Sequence, residues 1–160
     1  VVRKDVVKGR FTEINIVDLV REVQDAGINV IGNYIFGLPE DNVETMQETL
    51  NLAKELNCEF SNFYCSMAYP GSKLYLNAIA EKQVLPKTYT GYSQHSYDMR
   101  PLDTNHITAA EVVKFRDYAF HNYHEDEKYL SMVEKKFGSE TKQKMIDMCQ
   151  YKLKRKLLGH

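Results

Sequence analysis

Between Thr12 and Ala26 apolar side chains fall at Ile16, Leu19, Val20 and Val23, the i, i+3, i+4, i+7 spacing that turns one stripe of a helix toward a core. Gly27 follows where a left-handed residue commonly closes such a helix. The period then changes. Ile28 to Phe36 is an uncharged run rich in β-branched and aromatic residues, which predicts a strand covered on both faces, as parallel strands are. Gly37, Leu38 and Pro39 break it, and Glu40, Asp41 and Asn42 offer caps for a helix whose inner face is Met46, Thr49, Leu50 and Ala53 and whose end is Asn57. Glu59 to Met67 reads as a second strand, closed by Tyr69-Pro70-Gly71-Ser72. Helix, strand, helix and strand over residues 12–67, with connections this short, predict parallel strands joined by right-handed crossovers.

Strand side chains alternate between faces. Asn29 and Asn33 therefore share a face with Ile31 and Ile35. On the second strand Asn62, Tyr64 and Ser66 oppose Phe63, Cys65 and Met67. The polar set is expected to face a site and the apolar set to face helices.

A short helix is predicted over Lys73 to Lys82, then an irregular stretch from Gln83 to Asn105 that holds Tyr89, Tyr92 and Tyr97 between Pro86 and Pro101. Beyond it the pattern is purely helical. Thr108-Ala109-Ala110-Glu111 is a capping box opening a helix through Phe120. Lys128 to Phe137 is a second helix ended by Gly138, and Ser139 caps a third that runs into the basic stretch Lys152 to Lys156, read as a solvated last turn favoured by the helix dipole. The division is an α/β portion over 1–85, an aromatic-rich linker over 86–107 and a helical extension over 108–160.

Composition narrows the classes. At 43% hydrophobic and 27% charged the chain belongs with globular domains, and 21 basic against 22 acidic residues, a net charge of -1, give no reason to expect nucleic acid. No run approaches the roughly 18 apolar residues of a membrane span. Cys58, Cys65 and Cys149 are scattered and odd in number, which suits reduced thiols of a cytoplasm, buried as small apolar groups. His121, His124 and Glu125 have a spacing that can bind zinc, but with no third clear ligand the histidines read as partly exposed surface residues. The first residue is Val1 rather than Met, so the chain is expected to be a processed product or an excised piece.

Gly32 to Glu40 (GNYIFGLPE), the helix after it, AYPGS at 68–72 and Leu74-Tyr75 come in an order that resembles the second half of a radical S-adenosylmethionine barrel. The likeness is greatest to the branch whose members carry an N-terminal cobalamin-binding domain. Lys8-Gly9-Arg10-Phe11-Thr12 and Ala26-Gly27-Ile28 fit the same layout. YSQHSYDMRPL at 92–102, TAAEVVKFRDYAFHNY at 108–123 and LKRKLLG at 153–159 are similar to a narrower group within that branch.

The resemblance implies an α/β fold: the C-terminal part of a partial (β/α) barrel with parallel strands, then a helical tail, with chemistry at the C-terminal ends of the strands. The family's GxIxGxxE pattern maps onto Asn33, Ile35, Gly37 and Glu40, with Asn33 in place of the first glycine. Those residues, with Ala68, Tyr69 and Pro70, are expected to contact the cofactor's adenine, and Asn62, Tyr64 and His95 an unknown small-molecule substrate. The implied parent uses a 4Fe-4S cluster and S-adenosylmethionine to abstract hydrogen from a substrate carbon, with cobalamin as an option. The family's CxxxCxxC loop is absent here, since the nearest cysteines, Cys58 and Cys65, stand seven positions apart. The chain alone is therefore expected to hold no cluster and to be inactive, needing the N-terminal part of the same protein. It carries no nominated acid, base, nucleophile or metal ligand. A cut barrel edge along Ile28 to Phe36 is expected to make the isolated chain self-associate. A reading from another class is a stand-alone α/β module that binds a nucleotide or a partner without catalysis, its helical tail serving as a docking surface.

Overall fold

A computed structural model describes residues 14–160, so Lys8 to Thr12 lies outside the described residues. Helix α1 (Ile16–Asp25) opens on Asn15, whose side chain accepts the Val17 N–H at 3.1 Å. Strand β1 (Ile31–Phe36), helix α2 (Val43–Leu56) and strand β2 (Phe60–Cys65) follow. The strands pair in parallel, Ile31 opposite Phe60 through Phe36 opposite Cys65. Of the three candidate caps, Asn42 starts α2, in a reciprocal capping box with Thr45, and Asn57 ends it in the left-handed region at φ 48°. Helix α3 (Lys73–Ala80) is capped by Ser72, and a 3₁₀ turn (Tyr89–Tyr92) marks the aromatic stretch. Helices α4 (Ala109–His124), α5 (Glu127–Phe137) and α6 (Ser139–Cys149) complete a mixed α/β architecture of two parallel strands and six helices among the described residues. Thr108 and Glu111 form the expected capping box of α4, whereas α6 is capped by Gly138 rather than Ser139.

The expectation of a doubly covered strand is corrected. Tyr34, Phe36, Ser61, Phe63 and Cys65 are buried on one face, while Ile31, Asn33, Ile35, Phe60 and Asn62 are exposed on the other and Tyr64 is half-buried. The helices that pack on the sheet, α2 and α4, cover only the first face. On β2 Phe63 and Cys65 meet helices and Asn62 and Tyr64 look away from them, whereas Ser66, expected on the polar face, is buried.

The core forms around aromatic rings on the covered face. Phe36 and Phe63 stack at 5.9 Å, Phe115 of α4 meets Phe36 edge-on at 5.2 Å, and Tyr123 meets Phe63 at 5.4 Å. Met46 and Leu50 of α2 and Val112 and Val113 of α4 are fully buried beside them. The segment after residue 108 thus supplies half of the core and is a layer of the fold, not an appendage.

Two surface readings are also corrected. Helix α6 ends at Cys149 and Arg155 is 1% exposed, so the basic run is not a solvated helical turn. It passes back along α4, where Asp117 draws the one guanidinium of the run inward and leaves the lysines outside. His124 is buried among Phe63, Phe120 and Tyr129, where its Nδ1–H donates to the Phe120 carbonyl at 2.8 Å. Burial lowers its pKa, so the ring is held neutral. No described helix is long and apolar enough to cross a membrane.

Gly37, directly after β1, has φ +79°, and a Cβ placed there would meet Cγ1 of Val112 at 2.5 Å. Both the backbone conformation and the approach of α4 require glycine. Gly37→Ala is expected to cost about 1–3 kcal/mol in urea denaturation. Adding Val112→Ala should recover the steric part and leave the conformational part. An unchanged unfolding midpoint in the single variant would contradict this placement of α4.

Candidate functional site

The loop leaving β1 is fastened before it reaches solvent. Buried Asp41 accepts the Leu38 N–H at 2.9 Å through Oδ2 and the Thr45 hydroxyl at 2.8 Å through Oδ1. Its carbonyl accepts the Thr104 hydroxyl at 2.8 Å. Asn105 donates its N–H to the Pro39 carbonyl at 2.8 Å and its side-chain amide to Glu40 Oε1 at 2.7 Å. A cleft of about 220 Å³ results at the C-terminal ends of the strands, bounded by Gly37, Glu40, Ser66, Glu81, Asp103 and Asn105. Among the described residues, every charged side chain lining it is acidic.

The open sheet face adjoins this end of the strands. Asn62 donates its side-chain amide to Asn33 Oδ1 at 3.1 Å, flanked by Ile35 and Tyr64. Ala68 is buried against Ala78 and Leu102, while Tyr69 and Pro70 are exposed, the Tyr69 ring 6.1 Å from that of Tyr92.

The outer edge of β2 is closed by side chains. Gln94 accepts the Cys65 N–H at 2.9 Å and donates to the Cys65 carbonyl at 3.0 Å, as a neighbouring strand would. Arg116 of α4 donates Nε–H to the Phe63 carbonyl at 2.8 Å and Nη1–H to Asp117 Oδ1 at 2.9 Å. Arg155 takes the same carboxylate bidentately, Nε to Oδ2 at 3.0 Å and Nη2 to Oδ1 at 2.9 Å. Its Nη1 donates to the carbonyls of Gln94 at 3.0 Å and Ser96 at 3.1 Å. Burial alone would raise the Asp117 pKa, but the two guanidiniums outweigh it and hold the carboxyl below its ordinary value of 3.8. A groove of about 930 Å³ is lined by Asn62, by His95, by Lys114, Tyr118 and His121 of α4 and by Lys152 of the C-terminal segment. Desolvation, with Arg116 and Arg155 nearby, lowers the His95 pKa and favours the neutral ring.

The residues singled out from sequence thus divide. Gly37 and Glu40 share the acidic cleft, Asn62 and His95 share the groove, and Asn33, Ile35 and Tyr64 lie on the sheet face. Ala68 is turned inward. The glycine at 37 is explained by Val112 without any ligand. Sequence reasoning passed over Gln94, Asp117 and Arg155, whose partners lie 29–61 positions away and leave no local signal. It also passed over Glu59, at the opposite, N-terminal end of β2. Glu59 is 1% exposed and ion-paired with Lys136, and it accepts the Val30 N–H at 2.8 Å and the Gln24 amide at 3.2 Å.

The cysteines do not fit an iron–sulfur cluster. All three are buried, Cys58 precedes β2 and Cys65 ends it, and burial pushes each thiol up, Cys65 to about 12. Among the described residues one trio of metal-ligating types converges: donor atoms of His121, Glu125 and Cys149 lie within 4.8 Å of one another. That set is one ligand short of a closed four-coordinate zinc site, and the ring of His124 is turned away into the core.

No family model matches the chain. It is 25% identical over 108 residues to an uncharacterized methyltransferase of Pyrococcus horikoshii, a match that covers 68% of this chain and 23% of that protein. The chain therefore spans less than a quarter of that relative's length.

Removing one partner of a buried ion pair leaves the other charge uncompensated, so Arg155→Ala is expected to destabilise the fold by about 3–5 kcal/mol in chemical denaturation. The pH dependence follows from the lowered Asp117 pKa. The contribution of the pair is complete above the ordinary carboxyl value of 3.8 and is lost as pH falls through the lower folded value. Arg155→Ala should lose that part of the acid step. A variant of unchanged stability would show that the pair does not hold the C-terminal segment.

Proposed function

We propose that this chain is the C-terminal portion of a radical S-adenosylmethionine enzyme, of the branch with an N-terminal cobalamin-binding domain. In that reading it forms one wall of the cofactor site and part of the substrate wall. The observation that carries it is the pairing of a parallel sheet face that no described helix covers with an acidic cleft at the strands' C-terminal ends. A self-sufficient α/β domain buries both faces of a parallel sheet. Here Ile31, Ile35 and Phe60 remain 58%, 49% and 43% exposed on a face that also presents Asn33 and Asn62, as a barrel interior built for a polar ligand would.

Charge supports the cofactor. The sulfonium and ammonium groups of S-adenosylmethionine are cationic, and a cleft lined by Glu40, Glu81 and Asp103 without a Lys or Arg favours them. Glu40, oriented by Asn105, would accept a hydrogen bond at the adenine end of the cofactor, and Ile35 would offer apolar contact to the adenine. When bound, the cofactor supplies a transferable methyl group or, given an electron, hydrogen abstraction. The residues of this chain do not fit a cluster, so the source of that electron lies with residues outside it. Relationship to a methyltransferase agrees with S-adenosylmethionine as the ligand. The substrate wall is Asn62, Tyr64 and His95, and the chain works with the remainder of its parent protein. The stand-alone module is disfavoured by the apolar face it would leave in water.

The longer protein that contains this chain, reconstituted anaerobically with iron and sulfide and given a reductant, is expected to convert S-adenosylmethionine to 5′-deoxyadenosine. Glu40→Gln should raise the KM for the cofactor by about tenfold, the loss of one charge-assisted contact. No cleavage by the intact protein would overturn the assignment.

A second expectation concerns the isolated chain. The carbonyls of Val30 and Phe36 accept N–H groups of Phe60 and Ser66, so the alternate residues Ile31, Asn33 and Ile35 aim their backbone at the other edge, where no described strand pairs. Light scattering on the purified chain at tens of micromolar is expected to show dimers or larger species, and Ile35→Lys should shift them toward monomer. A monomeric chain with a stable fold would favour the self-sufficient module.

A further inference from the structure

The groove beside β2 has a charge opposite to that of the cofactor cleft. Among the described residues its lining contains one side-chain carboxylate, Asp117, against the fixed cations Lys114, Arg116 and Lys152. That carboxylate is already engaged, since both of its oxygens accept from Arg155 and one also accepts from Arg116. Arg116 is 4% exposed and seated over the Phe120 ring at 5.5 Å, with Nε fixed on the Phe63 carbonyl and Nη1 on Asp117. Its Nη2 has no hydrogen-bond partner among the described residues. A held guanidinium with a spare donor in a groove wall is a prepared contact for an anion. The rest of the lining is chiefly aromatic and aliphatic, with Tyr118 and Tyr151 exposed on either side. The volume, about 930 Å³, lies within the range of small-molecule sites, roughly 300–1,000 Å³.

We infer that this groove binds an organic anion with a flat apolar body, a carboxylate or phosphate monoester on an aromatic or conjugated frame. The acid would meet Arg116 and the two lysines, and the frame would lie against Tyr118 and Phe120. His95, held neutral, and Asn62 of β2 line the same groove as Arg116 and the two lysines. The inference rests on the substrate-wall reading above and gives that wall a chemical class. Opposite charge in cleft and groove keeps a cationic cofactor and an anionic ligand from exchanging places.

The test is binding to this chain, which needs neither cofactor nor cluster and so can succeed or fail independently of the radical assignment. Equilibrium dialysis is run with 2-naphthoate, 2-naphthyl phosphate, 2-naphthylmethanol and 2-naphthylmethylamine. The two anions are expected to bind at least about tenfold more tightly than the alcohol, with the amine weakest. Whichever anion binds better identifies the acid as carboxylate or phosphate. Lys114→Glu with Lys152→Glu, both on exposed positions that the fold does not need, should abolish the preference for anions. Lys135→Glu, a charge reversal at an exposed lysine of α5 that does not line the groove, should leave it intact. Equal binding of all four probes, or an anion preference unchanged in the double lysine variant, would overturn the proposal.

Discussion

The guanidinium of Arg116 sits where sheet, helical layer and C-terminal segment meet. Its Nε holds the Phe63 carbonyl on the outer edge of β2, and its Nη1 shares Asp117 with Arg155. Arg155 in turn fixes the carbonyls of Gln94 and Ser96, and Gln94 completes the edge by pairing both backbone groups of Cys65. Two parallel strands have little stability of their own. Here three backbone groups on the edge that would otherwise need a third strand, the Phe63 carbonyl and both groups of Cys65, are satisfied by side chains, and the same network places His95 and shapes the groove. The buried charges are tolerable because each is paired and hydrogen-bonded.

That network explains which parts of the structure could be read in advance. The order α1, β1, α2, β2 follows from local signals: a helical stripe ended by Gly27, an uncharged β-branched run stopped at Gly37, and the caps at Asn42 and Asn57. The face of β2 was legible because Asn62 and Tyr64 alternate with Phe63 and Cys65. The state of β1 was not, because Ile31 and Ile35 are as apolar as the buried Tyr34 and Phe36, and hydrophobicity alone cannot tell a covered face from one left open. Arg155 was hidden for the opposite reason. Its local sequence is that of a solvated basic run, and only a carboxylate on α4, 38 positions away, turns it inward.

The candidate site shows the same limit. Gly37 and Glu40 fall in one cleft because two residues of chain, Leu38 and Pro39, join them. Asn62 and His95 share a groove only through Arg116 and Arg155, which no spacing rule connects. The glycine at 37 carries a caution for motif reading: Val112 and a positive φ suffice to require it, so its presence says that α4 packs close and is silent about a ligand.

The two ends of the sheet serve different purposes. At the N-terminal end of β2, Glu59 is buried with Lys136, Gln24 and the Val30 N–H, tying α1, β1 and α5 to one carboxylate. Burial raises its pKa, but Lys136 and the two donors outweigh it and the net shift is downward, so the charged form belongs to the folded state. Every polar atom named there has a protein partner, which is what a structural junction requires. At the C-terminal end the loops after both strands instead surround water-accessible acids, and Glu40 and Glu81 keep exposed oxygens that the fold does not consume. In parallel α/β architectures the loops at that end can vary without disturbing the core, so binding groups collect there. The two ends of the two-stranded sheet of the described residues obey that polarity.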